Sequence, residues 1–68
     1  MSVSATYPVT GMTCQHCVNA VTSEVSEVPG VTAVDVDLAA GSVTVTSDTP
    51  VDVEHLRAAV DEAGYALA

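Results

Sequence analysis

One spacing of apolar residues occurs twice in this chain. Val18, Val21, Val25 and Val28 recur at intervals of three, four and three, and so do Val53, Leu56, Val60 and Ala63. That is the period of one face of an α-helix. The segments flanking each stripe have a different period. Val3, Ala5, Tyr7 and Val9 alternate with polar residues before the first stripe, and Val34, Val36 and Leu38 alternate with Asp35 and Asp37 after it. Val43 and Val45 alternate with Thr44 and Thr46 before the second stripe, and residues 65–68 leave room for a short last strand. Such alternation marks strands with one buried face. The chain therefore reads as two strand–helix–strand halves, βαββαβ.

Each strand offers one apolar face and each helix one stripe. The economical solution is an α+β, ferredoxin-like sandwich, an antiparallel four-stranded sheet with both helices on one face. The punctuation agrees. Pro29-Gly30 stops the first helix, Ala39-Ala40-Gly41 links two strands, and Asp48-Thr49-Pro50 breaks the second of them. Asp52 is placed to cap the second helix, and Gly64 marks its end. There is no linker or low-complexity tract, so residues 1–68 are expected to form a single domain.

With no Trp or Phe and only two Tyr, the core must be built from Val, Ala and Leu. A domain of this size and composition holds roughly 3–5 kcal/mol in hand. One Arg, no Lys and nine acidic residues give a net charge of −8. That excludes nucleic acid, which needs a basic footprint, and disfavours anionic membrane surfaces. No stretch approaches the length of a membrane span, and the N-terminus lacks the basic and apolar regions of a signal peptide. A cytoplasmic location is expected, with the cysteines reduced.

Those cysteines are Cys14 and Cys17, in Gly11-Met12-Thr13-Cys14-Gln15-His16-Cys17. The pair falls on the exit loop of the first strand and the first turn of the first helix. Unpaired N–H groups and the positive helix end favour thiolates there. Structural zinc wants four closed ligands, whereas the chain offers two thiols and two scattered His, with no second knuckle. A thioredoxin-like redox site needs a longer chain and another order of elements. A disulfide across this short loop constrains little. Cu(I) fits best: it is soft, prefers thiolates and accepts two ligands, and the resulting anionic complex suits a helix N-terminus. His16 lies between the thiols but leaves the first turn in another direction. His55 sits on the polar side of the second helix. The carboxylates form no acid/base pair, and no deep substrate pocket is expected, so the chain does not read as an enzyme.

Taken together, Gly11-Met12-Thr13-Cys14-x-x-Cys17, Pro29-Gly30-Val31 and Gly64-Tyr65 resemble the heavy-metal-associated domain family, and within it the bacterial CopZ-type copper chaperones. The resemblance covers essentially the whole chain. It implies the ferredoxin-like fold, Cu(I) held by Cys14 and Cys17, and delivery to a copper-transporting P-type ATPase by thiolate exchange. It makes Met12 a buried brace of the loop rather than a ligand, and sets Tyr65 near the metal. The expected state is a monomer without metal, with a copper-bridged homodimer open to it. Three other readings stay open: an excised N-terminal metal-binding domain of a copper ATPase, a mercury-binding protein, and a redox-active dithiol protein. The start Met and the lack of a trailing linker favour the free chaperone.

Overall fold

The computed structural model describes residues 2–68; Met1, where the expected domain begins, lies outside them. The elements follow in the order β1 (Val3–Thr10), α1 (Gln15–Ser26), β2 (Val31–Asp37), β3 (Ser42–Ser47), α2 (Val53–Glu62) and β4 (Ala66–Leu67). The four strands form one sheet in the order β2-β3-β1-β4, and every pairing is antiparallel. This is the βαββαβ, ferredoxin-like arrangement expected from the repeated spacing.

The alternation decides which face is buried. Val9, Val43 and Val45 pack against Val21 and Val25 of α1 and Leu56 and Val60 of α2 in one cluster, so both helices cover the same face. The opposite face carries the alternate residues. There Ser4 and Thr46 pair through their hydroxyls at 3.0 Å, and Thr6 and Thr44 at 2.8 Å. Valine is a weak helix former, so α1 relies on docking rather than propensity. Each fully buried Val or Leu contributes roughly 1.5–3 kcal/mol of transfer free energy.

Three parts of the pattern resolve differently in space. Val28 is buried, but α1 ends at Ser26 and Val28 packs from the turn beyond it. Val53 and Leu38 are exposed rather than core: one opens α2 and the other lies in the β2–β3 turn. Strand β2 also contains a bulge. Val31 faces Ser47 and Ala33 faces Thr46, which leaves Thr32 as an extra residue. The insertion changes parity, so odd-numbered Val31 and even-numbered Val34 and Val36 all pack toward the core.

The second helix starts as its sequence indicates. The Asp52 carboxylate accepts the Glu54 N–H at 2.9 Å, one of the donors a helix start leaves unpaired.

Candidate metal centre

Strand β1 delivers the chain to Gly11, whose φ of +94° lies in the left-handed region. A side chain there would be strained, and its Cβ would stand 3.2 Å from Tyr65 Cδ1. The glycine therefore does two things: it turns the chain and lets an aromatic ring approach the backbone. Met12 follows, half-buried against the core cluster, as the brace expected of it.

Cys14 is the N-cap residue of α1, in extended conformation and with no side-chain cap. Its carbonyl accepts the N–H of Cys17 at 3.0 Å and of Val18 at 3.3 Å. The earlier N–H groups of the first turn have no carbonyl within the helix to receive them. They give this end of α1 its partial positive charge. The two thiols thus sit where an anion is favoured, and for the reason the strand-to-helix junction suggests.

The thiols are free, with their sulfurs 3.6 Å apart, and they are not equivalent. Cys14 is exposed, whereas Cys17 is 6% exposed. The backbone N–H of Thr13 donates to Cys17 Sγ at 3.4 Å, and the Thr13 hydroxyl lies 3.9 Å from the same atom. Thr13 therefore does not cap the helix; it holds the buried sulfur. Its N–H is the main reason that the Cys17 thiol is lowered to about 6. Tyr65 is not among the close hydrogen-bond partners of the sulfur. Its hydroxyl is nevertheless near enough to favour the thiolate further, and together these effects outweigh the opposing cost of burial. The Tyr65 phenol is in turn pushed up, first by the Cys17 sulfur and then by burial.

Tyr65 reaches this position through the end of α2. Gly64 N–H donates to Asp61 carbonyl at 2.9 Å, and Tyr65 N–H donates to Val60 carbonyl at 3.1 Å, with Gly64 at φ +97°. This pair of bonds is the Schellman motif, which fixes the direction in which the chain leaves the helix. It brings the ring against Gly11. The sequence signal was the glycine directly after the stripe.

Above pH 6 the native state holds a thiolate at Cys17, while the unfolded thiol stays protonated up to about 9. The unfolded state then binds more protons, so apoprotein stability should rise between pH 6 and 9. It is lost as pH falls through 6. Above pH 10 the raised phenol of Tyr65 reverses the trend, because the unfolded tyrosine ionises first. Ultraviolet thiolate absorbance should show a first step centred near pH 6. Tyr65→Phe should move that step upward without abolishing it, since the Thr13 N–H remains. A midpoint unchanged in Tyr65→Phe would contradict a role for the hydroxyl.

The remaining candidates lie elsewhere. His16 is exposed on the first turn of α1. His55 lines a shallow groove of about 350 Å³ between the helices, with Glu24, Glu27 and Glu62, and no cysteine borders it. Among the described residues no three His, Cys, Asp or Glu side chains are grouped to hold a metal ion. The two cysteine sulfurs are brought together on their own.

The sequence model of the heavy-metal-associated domain matches residues 6–66. The chain belongs to the heavy-metal-associated domain family. A copper chaperone CopZ of Bacillus subtilis (strain 168) is 47% identical over 64 residues, which is 93% of each chain. Among solved structures, a CopZ metallochaperone superimposes with a TM-score of 0.89 at 36% identity, covering 97% of this chain and all of that one. The N-terminal domain of a potential copper-translocating P-type ATPase from Bacillus subtilis, in a Cu(I)-loaded state, gives a TM-score of 0.87 at 34% identity, covering 98% and 85%. The same fold thus occurs in a metallochaperone and in the N-terminal domain of a potential copper-translocating ATPase, and the fold alone does not separate the two.

Proposed function

We propose that residues 1–68 act as a single heavy-metal-associated domain that carries Cu(I) in the cytoplasm. Cys14 and Cys17 bind the ion, and the domain delivers it to a copper-transporting P-type ATPase. One observation carries this reading: an exposed and a buried thiol share one loop, and among the described residues no third His, Cys, Asp or Glu is grouped with them. Such a site suits an ion content with two thiolates, and it leaves room for a third ligand from outside. The 47% identity with a copper chaperone over 93% of both chains supports copper as the cargo.

The inequality of the thiols supports an order of events. Cys17 is already favoured as a thiolate, so it provides the fixed anchor. Cys14 is exposed and closes the site. The two-thiolate complex carries one negative charge, which the N-terminal end of α1 favours. On meeting an acceptor, a deprotonated acceptor thiol attacks the ion and a three-coordinate complex forms. Cys14, without the hold that Thr13 gives Cys17, departs first. Cys17 follows when the second acceptor thiolate closes. Only metal–sulfur bonds are exchanged, and the domain is not an enzyme.

The test is a Cu(I) titration against a competing chelator, followed by transfer to an acceptor domain. The expected result is one tightly held ion per chain, passed to the acceptor faster than the chelator strips it. Transfer no faster than loss to the chelator would contradict the chaperone role and leave a storage or regulatory domain.

The open coordination sphere also invites a second copy of the chain, site against site. Two charges of −8 oppose this. About 30 Å apart they repel by roughly 9 kcal/mol unscreened in water. Most of that is lost at a Debye length of about 8 Å, and much of it persists at 0.01 M salt, where the length is about 30 Å. Sedimentation should therefore show a monomer without copper, and a copper-dependent dimer that strengthens with salt. A monomer at every copper loading and every ionic strength would contradict the bridged pair.

A further inference from the structure

Strand β1 has eight residues, and its outer neighbour β4 has two. β4 faces Val9 and Thr10, and the Ala68 N–H donates to the Pro8 carbonyl at 2.9 Å. Along Val3–Tyr7 that side of β1 has no strand beside it. In an antiparallel ladder the N–H and C=O of one residue point to the same neighbour, and those of the next residue to the opposite one. The Val9 N–H goes to Gly41 on the β3 side, whereas the Pro8 carbonyl meets Ala68 on the β4 side. Odd-numbered residues of β1 therefore bond to β3, and even-numbered ones turn outward. Ser4 and Thr6 thus present their N–H and C=O groups to an open edge. Among the described residues no strand or turn meets them there. Pro8 has no N–H to offer on that side, so the open stretch is centred on Ser4 and Thr6.

The helix side of the same stretch is loosely covered. Val9 is 5% exposed, but Val3 at the start of the strand is 40% exposed, and Ala5 and Tyr7 are half-buried. These three border a cleft of about 80 Å³ with Val45, Pro50 and Val51, and no residue lining it is charged. The cleft has the volume of roughly three waters, room for one branched aliphatic side chain. Residues 1–10 carry no charge either. Asp48 and Asp52 flank the loop that holds Pro50 and Val51, and the Asp52 carboxylate is engaged at the start of α2.

We infer that the outer edge of β1, Val3–Tyr7, takes an extended segment of a partner protein as a further strand, antiparallel to β1 and in line with β4. Ser4 and Thr6 supply the backbone bonds, and alternate side chains of the segment face the helices, where one enters the cleft. The fitting segment has branched aliphatic residues at every second position. It is free of acidic residues, because the chain carries −8 and Asp48 and Asp52 lie beside the cleft's loop. A second copy of the chain fits less well. Pairing Ser4 with Thr6 of a second copy brings that copy's Ser2 opposite Pro8, where Ala68 already sits. Two chains of −8 also repel. Thr6 and Ser4 lie about 13–20 Å along the strand from Thr10, which leads into the metal loop. A bound segment therefore leaves the thiols uncovered, and the inference does not depend on the handover reading.

The probe is an acetylated and amidated peptide of sequence Val-Thr-Val-Thr-Val, titrated into the apoprotein. Nuclear magnetic resonance should show shift changes along β1 and slowed hydrogen exchange at the Ser4 and Thr6 amides. Two changes should each weaken binding about tenfold, as expected for a lost backbone bond and its unpaired partner. One is N-methylation of the peptide at its two Thr residues. The other is Thr6→Pro, which removes an outward N–H and leaves the bonds to β3 in place. Cys14→Ser/Cys17→Ser should bind the peptide as wild type does. Unchanged exchange at Ser4 and Thr6, equal binding of the N-methylated peptide, or shift changes centred on the groove between the helices would overturn the assignment. A dimer of the peptide-free protein that Thr6→Pro dissolves would overturn it in favour of a second copy. If circular dichroism shows Thr6→Pro unfolded, the N-methylated peptide decides alone, since it leaves the protein unaltered.

Discussion

Leu56→Ala should leave the apoprotein largely unfolded at room temperature. Leu56 is fully buried and is the only leucine in a cluster otherwise made of valines. It lies in the cluster where α2 meets the sheet and α1, so its loss leaves a cavity among valines that are themselves buried. Leu→Ala at such a site costs roughly 2–5 kcal/mol. That matches the roughly 3–5 kcal/mol that a core of this size supplies. Far-UV circular dichroism with urea titration should show a lost or shifted transition. Cu(I) should restore it, because a ligand that binds only the folded state at a thousandfold excess over its Kd adds about 4 kcal/mol. A Leu56→Ala apoprotein with the wild-type urea midpoint would mean that the helices do not depend on this contact.

Cys17→Ser should remove tight Cu(I) binding and the pH dependence of stability together. The first effect follows from losing one of two ligands. It should exceed the roughly 10–100-fold that changes beyond the ligands themselves cost a metal site. The second follows because Cys17 is the thiol held as a thiolate by the Thr13 N–H. Without it, the rise in apoprotein stability between pH 6 and 9 should disappear. Cys14→Ser separates the two effects: copper binding is lost, but the pH dependence stays. Isothermal denaturation across pH and chelator competition read them independently. A Cys14→Ser variant with a flat pH profile would mean that the anchor and the entry thiol have been exchanged.

Most of the fold is written in side-chain periods, and these were legible. The intervals of Val18–Val28 and Val53–Ala63 report a face, and the Thr and Val alternation of β3 reports a strand. The misreadings share a cause, because periodicity cannot tell where an element stops. Leu38 and Val53 continue a buried phase by spacing, yet each sits past or at the edge of its element, where neighbours no longer cover it. The bulge at Thr32 is equally silent, since a change of parity looks like an ordinary end to alternation. At the site, the Cys pair was legible from its spacing, and the packing of Met12 and the placement of Tyr65 from the family resemblance. Thr13 was not, because its part is played by a backbone N–H that any residue except proline could supply. The difference between Cys14 and Cys17 was hidden for the same reason. It arises from position, with Cys14 at the N-cap of α1 and Cys17 inside its first turn, and not from the residue type.

The central claim is that Cys14 and Cys17 alone hold Cu(I). X-ray absorption at the copper edge, on protein loaded with less than one ion per chain, tests it most directly. The account predicts an edge typical of Cu(I) and a first shell of two sulfurs, absent from a Cys14→Ser/Cys17→Ser double variant. A first shell dominated by nitrogen or oxygen in the wild-type domain, or the same spectrum and affinity in the double variant, would contradict it.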